Sequence, residues 1–98
     1  METISFSYAA QGAAKGRAIA GVVASGDLQV LLEPAAGRTE IRITTSVDGK
    51  AAVWSAVLDR LFASAALPAA RIDIDDCGAT PGVVRLRIEQ AFEEAGAA

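Results

Sequence analysis

Ala20-Gly21-Val22-Val23-Ala24-Ser25-Gly26-Asp27-Leu28-Gln29-Val30-Leu31-Leu32-Glu33-Pro34 sets two apolar runs on either side of a short polar break, Ser25-Gly26-Asp27. The second run alternates like a strand and stops at a proline. Two such runs around Ser-Gly-Asp predict a tight hairpin, a two-residue II′ turn with Gly26 at positive φ in the first central position and Asp27 in the second. That turn would hold the Ser25 hydroxyl at the tip of a stiff pair of strands, within reach of another protein. On turn statistics alone, Ser-Gly-Asp is ordinary turn chemistry.

On the N-terminal side of the hairpin, Thr3 to Tyr8 alternates, with Ile4, Phe6 and Tyr8 on one face, and reads as a half-buried strand. Ala9 to Gly16 reads as a loop. Arg17 to Ala24 then reads as a strand buried on both sides or packed closely by small residues, and Gly21 within it marks a bulge or a close backbone approach. On the C-terminal side, Leu28, Val30 and Leu32 share one face and Gln29, Leu31 and Glu33 the other. Ala35-Ala36-Gly37 makes the next turn. Glu40 to Ser46 follows, with Ile41, Ile43 and Thr45 inward against Glu40, Arg42 and Thr44, the pattern of antiparallel sheet with one wet face.

The period then changes. Trp54, Val57, Leu58, Leu61, Phe62 and Ala65 form a helical stripe, so Asp48 or Gly49 to about Ala65 is expected to be an amphipathic helix with Trp54 packed in the core. Leu67-Pro68 ends it. Arg71 to Asp75 alternates again with Ile72 and Ile74 inward. Asp73, Asp75 and Asp76 invite a metal or acid–base reading, but alternation puts Asp73 and Asp75 on the solvent face, where carboxylates usually only solvate a strand. Val84 to Ile88 also alternates, yet Val84, Ile88, Ala91, Phe92 and Ala95 make a longer helical stripe, and Thr80-Pro81 supplies an N-cap with proline at the first helical position. The helix is therefore expected, with Leu86 on its polar side as a candidate contact for a partner subunit. The order ββββαβα gives the α+β class: a single two-layer domain over residues 1–98, with a mainly antiparallel sheet of four to five strands and two helices on one face.

Composition narrows the function. The chain is 52% apolar, but 22 of its 98 residues are alanine and 5% are aromatic, so small side chains fill much of the interior. The net charge is −3 and the basic residues are scattered singly, which argues against a nucleic-acid partner. Met1-Glu2-Thr3-Ile4 lacks the basic start and apolar run of a signal peptide. No stretch approaches the ~18 apolar residues needed to span a membrane, so a cytoplasmic protein is expected. Cys77, the single cysteine, has no companion for a disulfide or a metal site. There is no histidine, which removes Ser-His-Asp and Cys-His nucleophilic sites and the commonest general base near neutral pH. A reactive group, if there is one, must be brought to this domain.

The run Ala20-Gly21-x-x-x-Ser25-Gly26-Asp27-Leu28 resembles the modification site of the acyl carrier subunits of malonate decarboxylase and citrate lyase. Ile43-Thr44-Thr45-Ser46-Val47 and Ile72-Asp73-Ile74-Asp75-Asp76-Cys77-Gly78-Ala79 fit the same family. Asp27 to Pro34 and Gly78 to Arg87 favour the malonate branch. Ala24 departs from the glycine or polar residue expected before the serine. The resemblance implies a non-catalytic carrier in which Ser25 is the covalent attachment point of 2′-(5″-phosphoribosyl)-3′-dephospho-coenzyme A, with Gly26 and Asp27 forming the turn that presents it. The arm's thiol would carry acetyl and malonyl groups as thioesters. Implied partners are the malonate decarboxylase transferase and decarboxylase subunits and the transferase that installs the prosthetic group, with no metal, nucleic acid or membrane. Two other readings stay open on the residues alone: a citrate lyase-type carrier, and an unmodified interaction domain whose Ser25 turn is only a turn.

Overall fold

The computed structural model describes residues 1–64 and 66–96, in the order β1 (Glu2–Ala9), β2 (Ala18–Gly21), β3 (Asp27–Pro34), β4 (Arg38–Thr45), α1 (Ala51–Ser64), β5 (Ala70–Cys77) and α2 (Pro81–Glu94). The strands form one sheet in the spatial order β1-β4-β5-β3-β2. Three of its pairings are antiparallel and one, β4 with β5, is parallel. The class and element order are those expected from the sequence. The parallel pair is the departure, since β4 reads as wholly antiparallel from its alternation.

Chain connectivity accounts for that departure. A parallel partner needs a crossover, and α1 supplies one between β4 and β5. Ala35-Ala36-Gly37 does join β3 to β4, but these strands are not neighbours, because β5 enters between them. Leu28, Val30, Leu32, Ile41, Ile43, Ile72 and Ile74 are buried on the face the helices cover. Arg42, Arg71 and Asp75 lie exposed on the other.

α1 begins at Ala51, two residues later than the latest start expected, because Gly49 takes φ +76°, outside the right-handed helical region, with its N–H donating to the Glu2 carboxylate at 3.2 Å. Trp54, Leu58 and Leu61 are buried along its stripe, and Ala65 lies outside the described residues. Phe62 stacks on Tyr8 at 4.7 Å between ring centroids and meets the edge of Phe92 at 6.1 Å, which ties β1 to both helices. The Tyr8 hydroxyl donates to Asp59 at 2.7 Å, and burial together with that bond holds the phenol above its usual pKa.

Thr80 caps α2, accepting the Val83 N–H at 3.3 Å, with Pro81 at the first helical position. The α2 stripe Val84, Ile88, Ala91, Phe92 and Ala95 is buried as expected, and Leu86 is 49% exposed. β2 is a correction. It runs only from Ala18 to Gly21 at the sheet edge, with Ala18 and Ala20 buried, Ile19 56% exposed, and Val22 and Val23 outside it and exposed. An edge strand with one covered face cannot be buried on both sides, and Gly21 at φ +80° ends its extended path.

Candidate functional site

Alternation places Asp76 on the helix-covered face of β5 and Asp73 and Asp75 on the open face, so the three carboxylates do not converge. Asp76 is 7% exposed and accepts from Thr45 Oγ1 at 2.8 Å and from the N–H groups of Gly78 and Ala79 at 3.2 and 3.0 Å. It braces the turn between β5 and α2. Asp73 is half-buried, with Arg71 Nε 3.7 Å away.

The β2–β3 ladder pairs Ala18 with Leu32 and Gly21 with Gln29, which centres the hairpin on Ser25. Val22 to Gly26 form the connection, and Ser25 is exposed. Its path is defined by two short bonds: Ala24 N–H to the Val22 carbonyl at 3.1 Å, and Asp27 N–H to the Ala24 carbonyl at 2.9 Å. Ser25 and Gly26 are therefore the central residues of the turn, and Gly26 takes φ +77° in its third position, where a type II turn requires a positive φ. The sequence expectation of Gly26 and Asp27 as a II′ central pair is thus shifted by one residue.

Asp27 explains the shift. It is the first residue of β3, with its carboxylate held from two sides. Arg87 of α2 grips it bidentately, Nε to Oδ1 at 3.1 Å and Nη2 to Oδ2 at 2.9 Å, while the Leu28 N–H donates to Oδ1 at 2.7 Å. These bonds, Arg87 first, hold the Asp27 carboxyl below the usual carboxylate range and raise the pKa of the Arg87 guanidinium. Nη1 of Arg87 donates to Gln90 at 3.0 Å, which orients the fork. Gly21 makes room for it. A Cβ there would lie 2.1 Å from the Leu28 carbonyl oxygen and 3.1 Å from Arg87 Cδ, so the expected close backbone approach is present.

The turn is anchored on its other side as well, since the Gly26 N–H donates to the Cys77 carbonyl at 2.8 Å. Ser25 therefore projects from a loop fixed to both β5 and α2, and nothing lies within 4 Å of where a Cβ on Gly26 would stand. Sequence reasoning missed Arg87. Its signal is a basic residue one position before the buried Ile88, on the flank of the α2 stripe, coupled with a glycine at position 21 that leaves the flank uncovered.

The family model described as malonate decarboxylase delta subunit matches residues 15–95, which include the Ser25 turn, β5 and Arg87. This chain belongs to that family. Within it, the chain is 59% identical over 97 residues to the malonate decarboxylase acyl carrier protein of Pseudomonas paraeruginosa, with 98% of each chain covered. It is 55% identical to those of Pseudomonas putida, over 96% of each chain, and Stutzerimonas stutzeri, over 98% of each. A chain in the crystal structure of a Pseudomonas malonate decarboxylase hetero-tetramer in complex with malonate matches with a TM-score of 0.94 at 55% identity, covering 98% of this chain and 100% of that one. The β1-β4-β5-β3-β2 sheet with two helices is thus shared with a chain of that hetero-tetramer.

Proposed function

We propose that this chain is the acyl carrier subunit of malonate decarboxylase, a single carrier domain over residues 1–98, and that Ser25 Oγ carries a 2′-(5″-phosphoribosyl)-3′-dephospho-coenzyme A arm. The observation that supports this reading is an exposed Ser25 on a turn held at Gly26 by Cys77 and at Asp27 by Arg87. The surroundings suit a phosphodiester. Ala24 and Gly26 leave Oγ open to approach, and the Asp27 carboxylate two residues away is neutralised by the Arg87 fork, which reduces its repulsion of a neighbouring phosphate. When bound, the arm supplies a terminal thiol that holds acyl groups as thioesters.

The chain's own part is placement. Fixing the base of the arm narrows the volume it explores and turns its meeting with each catalytic subunit into an intramolecular event, at an effective concentration of about millimolar for a flexible tether that spans the sites. With no histidine in the sequence, bond-making falls to the transferase and decarboxylase subunits, and loading of Ser25 to a separate transferase. Among the described residues no helix is long and apolar enough to cross a membrane.

Intact mass and peptide mapping of the protein from its native source test the assignment. The expected result is a single adduct on Ser25 with the mass of the phosphoribosyl-dephospho-coenzyme A group. In Ser25→Ala that adduct and the activity of the assembled complex are lost, while stability moves by less than about 0.5 kcal/mol. Full activity from the Ser25→Ala complex, or an adduct on another residue, would overturn the reading.

A further inference from the structure

The Ser25 turn shares its end of the sheet with a cleft. Thr45 and Asp76 are register partners at the C-terminal ends of the parallel strands β4 and β5, and both helices begin just beyond them. A cleft of about 260 Å³ opens there. Trp54, Val57 and Val84 line it from the helices, Val47 lines it from the loop before α1, and Gly78 lies among its lining residues. Apolar surface dominates, and the Asp76 carboxylate at its base is committed to Thr45, Gly78 and Ala79. Open ends of parallel strands where helices begin are where α/β folds commonly place ligands.

Backbone connectivity joins this cleft to the turn. The Cys77 carbonyl that holds the Gly26 N–H at 2.8 Å belongs to the residue immediately before Gly78. A group attached to Ser25 thus starts one strand away from the cleft's edge. At about 260 Å³ the cleft lies below the usual range of about 300–1,000 Å³ for pockets that hold a whole drug-sized ligand, so it fits the end of a long arm rather than its nucleotide. An alkyl amide chain ending in a small acyl thioester is the apolar end of such an arm, and water is the hazard for the thioester. We infer that the cleft bounded by Trp54, Val57, Val84 and Gly78 receives the thioester-bearing end of the Ser25 arm while the carrier is away from its catalytic subunits. This inference rests on the proposed attachment at Ser25.

The test uses the full chain loaded on Ser25 and acetylated, with the adduct verified by mass beforehand, so that a failure of attachment is recognised before the cleft is probed. Trp54 is the only tryptophan in the sequence and is 5% exposed in the cleft wall, so its emission reports occupancy. Loading is expected to shift that emission. The carrier-bound acetyl thioester is expected to hydrolyse about tenfold more slowly than acetyl-coenzyme A in the same buffer, as a docked state favoured by about 1.4 kcal/mol would give. Val53, which lines the same cleft and is 43% exposed, can be enlarged without disturbing the core. Val53→Phe should return hydrolysis to the free rate while Ser25 loads normally. Hydrolysis at the free rate in the parent chain, with Trp54 emission unchanged by loading, would overturn the inference. So would a Val53→Phe carrier that keeps its protection but binds the catalytic subunits less tightly, because the cleft would then belong to a partner.

Discussion

Replacing Gly21 and Gly26 separately with alanine isolates what holds the Ser25 turn in place. Both glycines sit in the left-handed region, at φ +80° and +77°, so each substitution carries a backbone penalty of about 1–2 kcal/mol. Their surroundings differ. A Cβ on Gly26 meets nothing within 4 Å, whereas one on Gly21 would lie 2.1 Å from the Leu28 carbonyl oxygen and 3.1–3.2 Å from Arg87 Cδ and Nε. Backbone cannot yield as a side-chain tip does, so the second variant gains an overpacking cost of about 1–3 kcal/mol. Gly21→Ala is thus expected to lose about 2–5 kcal/mol and Gly26→Ala about 1–2 kcal/mol. For a domain of this size 1 kcal/mol moves the melting temperature by about 4–8 °C, so the two variants should melt roughly 5–20 °C apart. Circular dichroism melts of the two proteins in one buffer give the comparison directly. Equal melting temperatures would refute the argument that Gly21 is there to let β2, β3 and Arg87 close together.

The Asp27 carboxyl is held below the usual carboxylate range by Arg87 and the Leu28 N–H, so its contribution to stability is full above its unfolded pKa of about 3.9 and is lost as pH falls through the lowered folded value. Urea midpoints should therefore show an advantage over Asp27→Asn that is constant near neutrality and shrinks below about pH 4; an advantage unchanged down to about pH 2 would contradict this. Asp76→Ala leaves the Gly78 and Ala79 N–H groups unmet and takes the shorter of two acceptors from the Thr45 hydroxyl, and should cost about 2–5 kcal/mol in chemical denaturation, with Asp76→Asn, which keeps an acceptor, costing less. Leu61 is 1% exposed, and Leu61→Ala should cost about 2–5 kcal/mol on the same measurement.

Most of the elements were legible because each has one wet face: alternation in β1, β3, β4 and β5 and the stripes of α1 and α2 repeat the same choice between core and solvent many times over. The placement of β5 between β3 and β4 was not. Alternation fixes which face a residue takes, and says nothing about which strand lies beside it. Exposure of Ser25 follows from the polar break itself, so that much of the candidate site was readable. The centre of the turn was displaced from the expected pair because Asp27 is committed to Arg87, sixty residues away, and local turn preference cannot register a partner so remote. The short β2 has a similar cause, since the run of small apolar residues looks continuous until Gly21 is given its positive φ.

The insertion of β5 also governs timing. β1 and β4 pair with each other, as do β2 and β3, but the two pairs meet only through β5, which is made after all four. Until it arrives the sheet is two separate pieces, and neither has a face broad enough to be stable alone. Both anchors of the Ser25 turn, Cys77 and Arg87, lie in this late part of the chain. A nascent or truncated chain can contain the whole Ala20–Leu28 segment and still lack the loop geometry described above. The shape of this turn is therefore a property of the completed fold and not of the segment that forms it.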